Sequence, residues 1–229
     1  MAEERIAERI DANLLDVTME DLHDMPQQLY EGKMTKLREK TQGQLIIKEY
    51  PTASAHGGHF KALLNELALK KSFRPDVIFI DYLNICASSR FKGGNISSYF
   101  YVKAIAEELR GLAVEFNVPI FSATQTNRTG FVSSDIGLED TSESFGLPAT
   151  ADFMFALISN DELEGLGQMK IKQLKNRYND PSINRAFIVG VDKSKMRLYD
   201  VQQKAQEIVD ANQVDDKEDA YNKFSDFKI

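Results

Sequence analysis

The chain contains one cysteine, Cys86, so no disulfide can form within it, and a lone thiol suits a reducing cytosol. Three histidines, His23, His56 and His59, add too few ligands for a structural zinc site. Of these, His56 and His59 flank Gly57-Gly58 and read as loop and helix-start residues. No apolar run reaches membrane-span length, and the opening Met-Ala-Glu-Glu-Arg lacks the charged-then-apolar layout of a signal peptide. Basic residues are in the minority: 28 Lys and Arg face 35 Asp and Glu, a net charge of −7. That balance argues against whole-surface attraction to nucleic acid, while a local basic strip stays compatible with it. One further absence matters most. Nowhere does Gly-x-x-x-x-Gly-Lys-Ser/Thr occur, the loop whose amides and lysine hold nucleotide phosphates. The only Gly-Lys pair is Gly32-Lys33, with Gln27 and Met34 at the other required positions.

What is present is the material of an α/β domain. The 229 residues have room for one full domain with a sizeable core and an appendage, and 42% hydrophobic with 28% charged residues is ordinary for a globular chain. Ile6, Ile10 and Leu14 lie four apart in a helical pattern. Thr18 with Asp21 reads as an N-cap, and Pro26 starts a further helix that runs to Lys40. Leu45, Ile46 and Ile47 predict a strand over Gln44–Tyr50, and a helix carries Phe60, Leu63, Leu64 and Leu67. Val77–Leu83 predicts a strand buried on both faces of a parallel sheet. Val102, Ile105, Leu109, Leu112 and Phe116 step by three and four along a long amphipathic helix that Asn117 and Pro119 close. Strands follow at Pro119–Gln125, Phe153–Ile158, Met169–Arg177, Ala186–Asp192 and Arg197–Val201, with a turn signal at Tyr178-Asn179-Asp180-Pro181. The order predicts a mainly parallel sheet flanked by helices, with an antiparallel edge hairpin. From residue 201 to 229 seven acids outweigh four lysines, and large apolar residues return at Phe224, Phe227 and Ile229. This composition predicts a disordered acidic tail with a C-terminal apolar motif, a terminal docking peptide being the alternative.

Several residues carry candidate chemistry. Asp81 falls where a buried strand leaves the core, the place where open α/β sheets collect ligands. A carboxylate there can hold a water on Mg²⁺, as the Walker B acid of nucleoside triphosphatases does, although an acid in this place can also merely end a strand. Gln125 ends the next strand, and an amide there can hydrogen-bond a terminal phosphate or an attacking water. Lys175 and Arg177 alternate at a strand end and point to one side, which suits an arginine finger as well as a solvated basic edge. Arg90, Lys92, Arg128 and Lys103 lie in or beside the loops leaving the two central strands, where phosphate contacts would give sequence-independent DNA binding.

Four stretches carry a resemblance to a known family: Ile80-Asp81-Tyr82-Leu83, the run Val102–Arg110, the run Gly146–Met154, and Lys175-Asn176-Arg177-Tyr178. As a set they resemble the C-terminal RecA-like motor domain of replicative DNA helicases of the DnaB class, most of all the T-even phage primase-helicase subunits. The resemblance covers residues 1–200 and implies ATP hydrolysis, with ATP and Mg²⁺ as cofactors, coupled to 5′-to-3′ movement on single-stranded DNA and to unwinding at the replication fork. It implies a homo-hexameric ring with primase and a helicase loader as partners, in the cytoplasm of a phage-infected cell and away from any membrane. Asp81 then matches the Walker B acid, Gln125 the γ-phosphate-sensing residue, and Arg177 the arginine finger with Lys175 beside it. Arg90, Lys92, Asn127 and Arg128 match segments used as DNA-binding channel loops.

Members of that family carry the phosphate loop upstream, then a strand ending in a catalytic Glu followed by Met. This sequence starts at that Met, so the expectation is a partial motor domain over residues 1–200, without the N-terminal strands, the phosphate loop or the catalytic Glu. Such a chain is expected to leave a sheet edge open and to be inactive alone, as the C-terminal piece of a split gene or truncated reading frame. A complex with the missing N-terminal fragment would complete it. The competing expectation is a non-catalytic module that binds single-stranded DNA or docks on replication proteins. A recombinase of the same superfamily is a third, disfavoured by the Gly146–Met154 and Lys175–Tyr178 stretches.

Overall fold

In the computed structural model the described residues are 2–91, 97–126, 137–138, 146–180 and 183–201. Lys92, Asn127, Arg128 and the tail from 202 lie outside them. The elements run α1 (Glu3–Leu15), α2 (Met19–Asp24), α3 (Gln27–Lys40), α4 (Gly57–Lys71), β1 (Ile78–Ile80), α5 (Ser98–Phe116), β2 (Ile120–Ser122), α6 (Gly146–Thr150), β3 (Phe153–Ile158), α7 (Asp161–Gly165), β4 (Gln168–Asn176), β5 (Ala186–Asp192) and β6 (Arg197–Asp200). The chain divides into two units, one of residues up to Glu49, Leu157–Lys172 and from Asn184, the other of Tyr50–Ala156 and Gln173–Ile183. No helix among the described residues is long and apolar enough to cross a membrane.

In the first unit, α1 stops at Asp16, which takes the left-handed conformation (φ 54°). That stop aims the Asp16 carboxylate at the β5–β6 turn, where it accepts from Arg197 Nη1 at 2.8 Å and from Lys195 Nζ at 3.2 Å. The Lys195 bond and then the Arg197 bond hold its carboxyl below the usual range. Beside it the Met19 amide donates to the Ser194 carbonyl at 3.1 Å. Thr18 and Asp21 form a reciprocal capping box at the start of α2, as their spacing predicts. Within this unit Gln168–Lys172 of β4 pairs with β5, and β5 pairs with β6, both antiparallel.

The second unit is built on α5. Its stripe Val102, Ile105, Ala106 and Leu109 is buried together with Leu83, Cys86 and Leu147, and Ile80 and Ile120 pack on the same cluster. Ile105 is only 1% exposed. The helix connects β1 to β2, which pair in parallel with Ile78 opposite Ile120 and Ile80 opposite Ser122. A parallel pair needs such a crossover, and the amphipathic α5 supplies it.

Two expectations change here. The β1 strand is covered on one face only: Phe79 is 73% exposed and stacks on its register partner Phe121, also exposed, with ring centroids 5.3 Å apart. The apolar run is genuine, but α5 takes the pleat of Ile80 and Ile120 and leaves the opposite pleat bare. Residues 44–50 form no strand, and Leu45 is 63% exposed. Strand propensity expresses itself only against a neighbouring strand, and this stretch makes no ladder among the described residues.

The α4 helix begins with histidines as caps, a role composition does not announce. His56 Nδ1 accepts from the Gly58 amide at 3.0 Å, while the His56 amide donates to His59 Nδ1 at 3.3 Å. Replacing His56 by Ala should therefore lower stability by about 1 kcal/mol, whereas His56→Asn, a better cap, should hold it. Thermal unfolding of the two variants checks this; equal melting temperatures would remove the capping role.

Candidate functional site

Because β1 and β2 are parallel, both deliver the chain to one rim. Asp81 follows β1 directly and Gln125 lies three residues past β2; both are exposed. Three hydrogen bonds tie the two strand ends together. Ser122 Oγ donates to the Ile80 carbonyl (2.8 Å), the Leu83 amide to the Ala123 carbonyl (3.1 Å), and Thr124 Oγ1 to Asn84 Oδ1 (2.8 Å). Hydroxyls and an amide thus do what a longer ladder would do, fixing the backbone on either side of the acid.

No group of three His, Cys, Asp or Glu residues able to hold a metal occurs among the described residues. A single exposed carboxylate suits Mg²⁺, which keeps most of its waters and shares its remaining ligands with substrate phosphates. The phosphate-holding amides and lysine are a different matter, since the sequence has no loop to provide them.

Beyond β1 the chain makes a short 3₁₀ turn, Leu83–Ile85, and then a segment anchored on α5. Glu108 receives the Ser88 hydroxyl at 2.6 Å and the Ser89 amide at 3.0 Å, and the Ser88 oxygen in turn accepts from the Arg90 amide at 3.2 Å. Burial pushes the Glu108 carboxyl up, but the bonds from Ser88, Ser89 and Arg90 outweigh it and hold the group below its usual range. One turn face of α5 therefore fixes the root of the loop that carries Arg90. The Arg90 side chain is half exposed and pairs with Glu107, which also faces Lys103 at 3.9 Å.

The second grouping lies where β4 ends. Asp152 Oδ1 accepts from Arg177 Nη1 at 2.9 Å, and its Oδ2 accepts from Arg110 Nη1 at 2.7 Å. The same cations reach the last carbonyls of α6: Arg177 Nη2 to Ala149 (3.0 Å), Arg110 Nη1 to Thr150 (2.8 Å), and Lys175 Nζ to Pro148. A helix end carries carbonyls without intrahelical partners and a partial negative charge, so three cations gather there for a physical reason. Burial pushes the Asp152 carboxyl up, yet Arg110 and then Arg177 outweigh it and hold it below the usual carboxylate range. Burial, and next the Arg177 charge, pull the Lys175 ammonium below the usual lysine range.

Lys175 and Arg177 are thus brought together, as their alternation predicts, but both turn inward onto α6 instead of projecting from the edge. Asp81 and Gln125 share a rim. Arg90 sits on an anchored loop root, while Lys92, Asn127 and Arg128 lie outside the described residues. Sequence reasoning passed over Asp152, Arg110, Glu107 and Glu108. All four fall in family-like stretches, but nothing in their spacing pairs Arg110 with a residue 42 positions away.

Comparison with known proteins matches residues 1–180 to the DnaB-like helicase C-terminal domain. The chain is 45% identical, over 97% of its own length, to the DnaB-like replicative helicase of Enterobacteria phage T4, and spans 49% of that protein. A probable plasmid replicative DNA helicase of Chlamydia trachomatis is 32% identical over 56% of the chain, which covers 27% of that protein. Among solved structures, an ATPase domain superposes with a TM-score of 0.70 at 15% identity, over 88% of this chain and 72% of that one. A DnaB-like replicative helicase studied for its interactions with primase gives 0.69 at 16% identity, over 88% of this chain and 49% of that one. These likenesses carry the fold, which is that of RecA-like ATPase domains of helicases.

The lowered Asp152 pKa sets a pH dependence. A group whose folded pKa is depressed stabilises the fold above its unfolded value and loses that contribution as pH falls through the folded value. The melting-temperature gap between the protein and Asp152→Asn should stay level above the ordinary aspartate value of 3.8 and close below it. A gap independent of pH would mean the ion pairs add nothing.

Proposed function

Because the chain belongs to the DnaB-like helicase C-terminal domain family, we propose that it is the C-terminal part of an ATP-dependent replicative helicase that moves on single-stranded DNA and unwinds duplex at the fork. The observation that carries this is the parallel β1–β2 register, which brings an acid and an amide to one rim in the order a nucleotide-hydrolysing sheet needs. Asp81 would hold a water of Mg²⁺, and Gln125 would hydrogen-bond the terminal phosphate or orient the attacking water. Arg177, with Lys175 beside it, would stabilise charge on the phosphoryl group of a nucleotide held by the next subunit of a homo-hexamer. Mg²⁺, when bound, neutralises charge on the phosphates. Residues 1–200 would form the partial motor domain and 201–229 an acidic tail. Arg90, Lys92, Asn127 and Arg128 would line the path of the DNA. Primase and a helicase loader would be the partners, as a primase is for one structural relative, and the cytoplasm of a phage-infected cell the setting.

The phosphate loop and the catalytic glutamate would come from another polypeptide segment, a reading supported by the missing Gly-x-x-x-x-Gly-Lys-Ser/Thr pattern and, among the described residues, by the exposed face of the β1–β2 pair. Parallel sheets are normally buried on both faces, and the bare Phe79–Phe121 pair supports a further layer.

Two measurements test this. Hydrolysis of ATP stimulated by single-stranded DNA should be absent for the chain alone and appear on mixing with the half of the phage T4 relative that this chain does not match. In that mixture Arg177→Ala should lower turnover by about 10³-fold or more with nucleotide binding kept. Activity of the chain alone would refute the incomplete site, and an inactive mixture that still binds DNA would favour a binding module. For the DNA path, Arg90→Ala should reduce the salt slope of single-stranded DNA affinity by about one. An unchanged slope would leave Arg90 as a partner of Glu107 and nothing more.

A further inference from the structure

We propose that Asp152 is a positioning residue for Arg177, holding its guanidinium in one orientation at the end of β4 while Arg110 holds Asp152. The proposal deepens the reading above and rests on Arg177 acting as the finger. Its basis is the division of labour within the cluster. Each carboxylate oxygen of Asp152 takes one arginine, Arg177 on Oδ1 and Arg110 on Oδ2. Each arginine is braced a second time on a carbonyl of α6, Ala149 for Arg177 and Thr150 for Arg110. A third restraint acts on the backbone, where the Arg177 amide donates to the Asp152 carbonyl at 3.0 Å. The stem and the tip of Arg177 are therefore referred to the same residue.

A guanidinium is planar and carries five N–H donors. Asp152 and Ala149 engage one donor each on Nη1 and Nη2, and the side chain remains 45% exposed. Such an arrangement removes rotational freedom from a long side chain while leaving donor capacity toward solvent, the property a residue needs to meet an incoming phosphoryl group without first being ordered. Arg110 supplies the counterweight. It comes from α5, whose apolar stripe is locked in the core, so Asp152 is itself held from a rigid element. Lys175 completes the frame by binding the Pro148 carbonyl one step earlier on α6.

The decisive test is a double-mutant cycle in the reassembled enzyme, chain plus phosphate-loop polypeptide, with kcat and KM for ATP measured separately. Asp152→Asn should lower kcat by about ten-fold or more, the scale of a misplaced catalytic group, with KM held within about two-fold. Asp152→Glu should recover part of the loss. In an Arg177→Ala background, Asp152→Asn should cost nothing further, since a residue acting through another has no effect once that other is gone. An equal loss in both backgrounds would overturn the proposal and leave Asp152 a purely structural residue. Near-normal turnover of Arg177→Ala alone would instead sink the finger assignment, an outcome distinct from the first. If Asp152→Asn lowers the melting temperature below the assay temperature, Asp152→Glu carries the same cycle. On the chain by itself, NMR of the arginine side-chain nitrogens should show slowed rotation of the Arg177 guanidinium that Asp152→Asn releases. Unchanged rotation would also overturn the proposal.

Discussion

The second unit depends on one packing interaction: the apolar stripe of α5 laid against one pleat of the β1–β2 pair. Ile105 sits at its centre, and Ile80, Ile120, Leu83 and Leu147 converge on the same helix. Both strands are only three residues long, too short to hold a register by ladder bonds alone. The helix holds it for them. Where Asp81 and Gln125 stand is therefore settled as much by Val102, Ile105 and Leu109 as by anything in the strands.

The other face of α5 is charged, and its charges are employed rather than merely solvated. Within four residues it presents Glu107 and Glu108 to the loop after β1 and Arg110 to Asp152. One helix thus sets the root of a basic loop and the anchor of a cation cluster. At the cluster, three cations meet one carboxylate and the carbonyl end of a five-residue helix. Dipole and hydrogen bonding supply the negative character that formal charges alone do not.

Much of this was legible from the sequence, and the limits follow physical lines. Period-3.6 and period-2 patterns located α5, β3, β5 and the β4–β5 hairpin because local burial writes itself into local sequence. The rim of Asp81 and Gln125 was legible because each residue follows an apolar strand, although β2 closes at Ser122, three residues before Gln125. Residues 44–50 and the second face of β1 were misread for a single reason: strand formation and two-sided burial depend on neighbours, and propensity does not report whether a neighbour is there. Asp152 was illegible because its partners stand 25 and 42 residues away. The inward turn of Lys175 and Arg177 was hidden because α6 leaves almost no pattern in its five residues.

The parallel pairing of β1 and β2 has a consequence in time. Ile78 and Ile120 are register partners more than a helix apart in the chain, so β1 has no neighbour until all of α5 and β2 have been made. The entropy of closing that loop is lost before any ladder bond forms, which is the signature of slow, non-local folding. During that interval Phe79 and its flanking isoleucines are a β-prone segment without cover, and self-association competes with the crossover. Helix formation along Ser98–Phe116 shortens the span left to close and so shortens that interval.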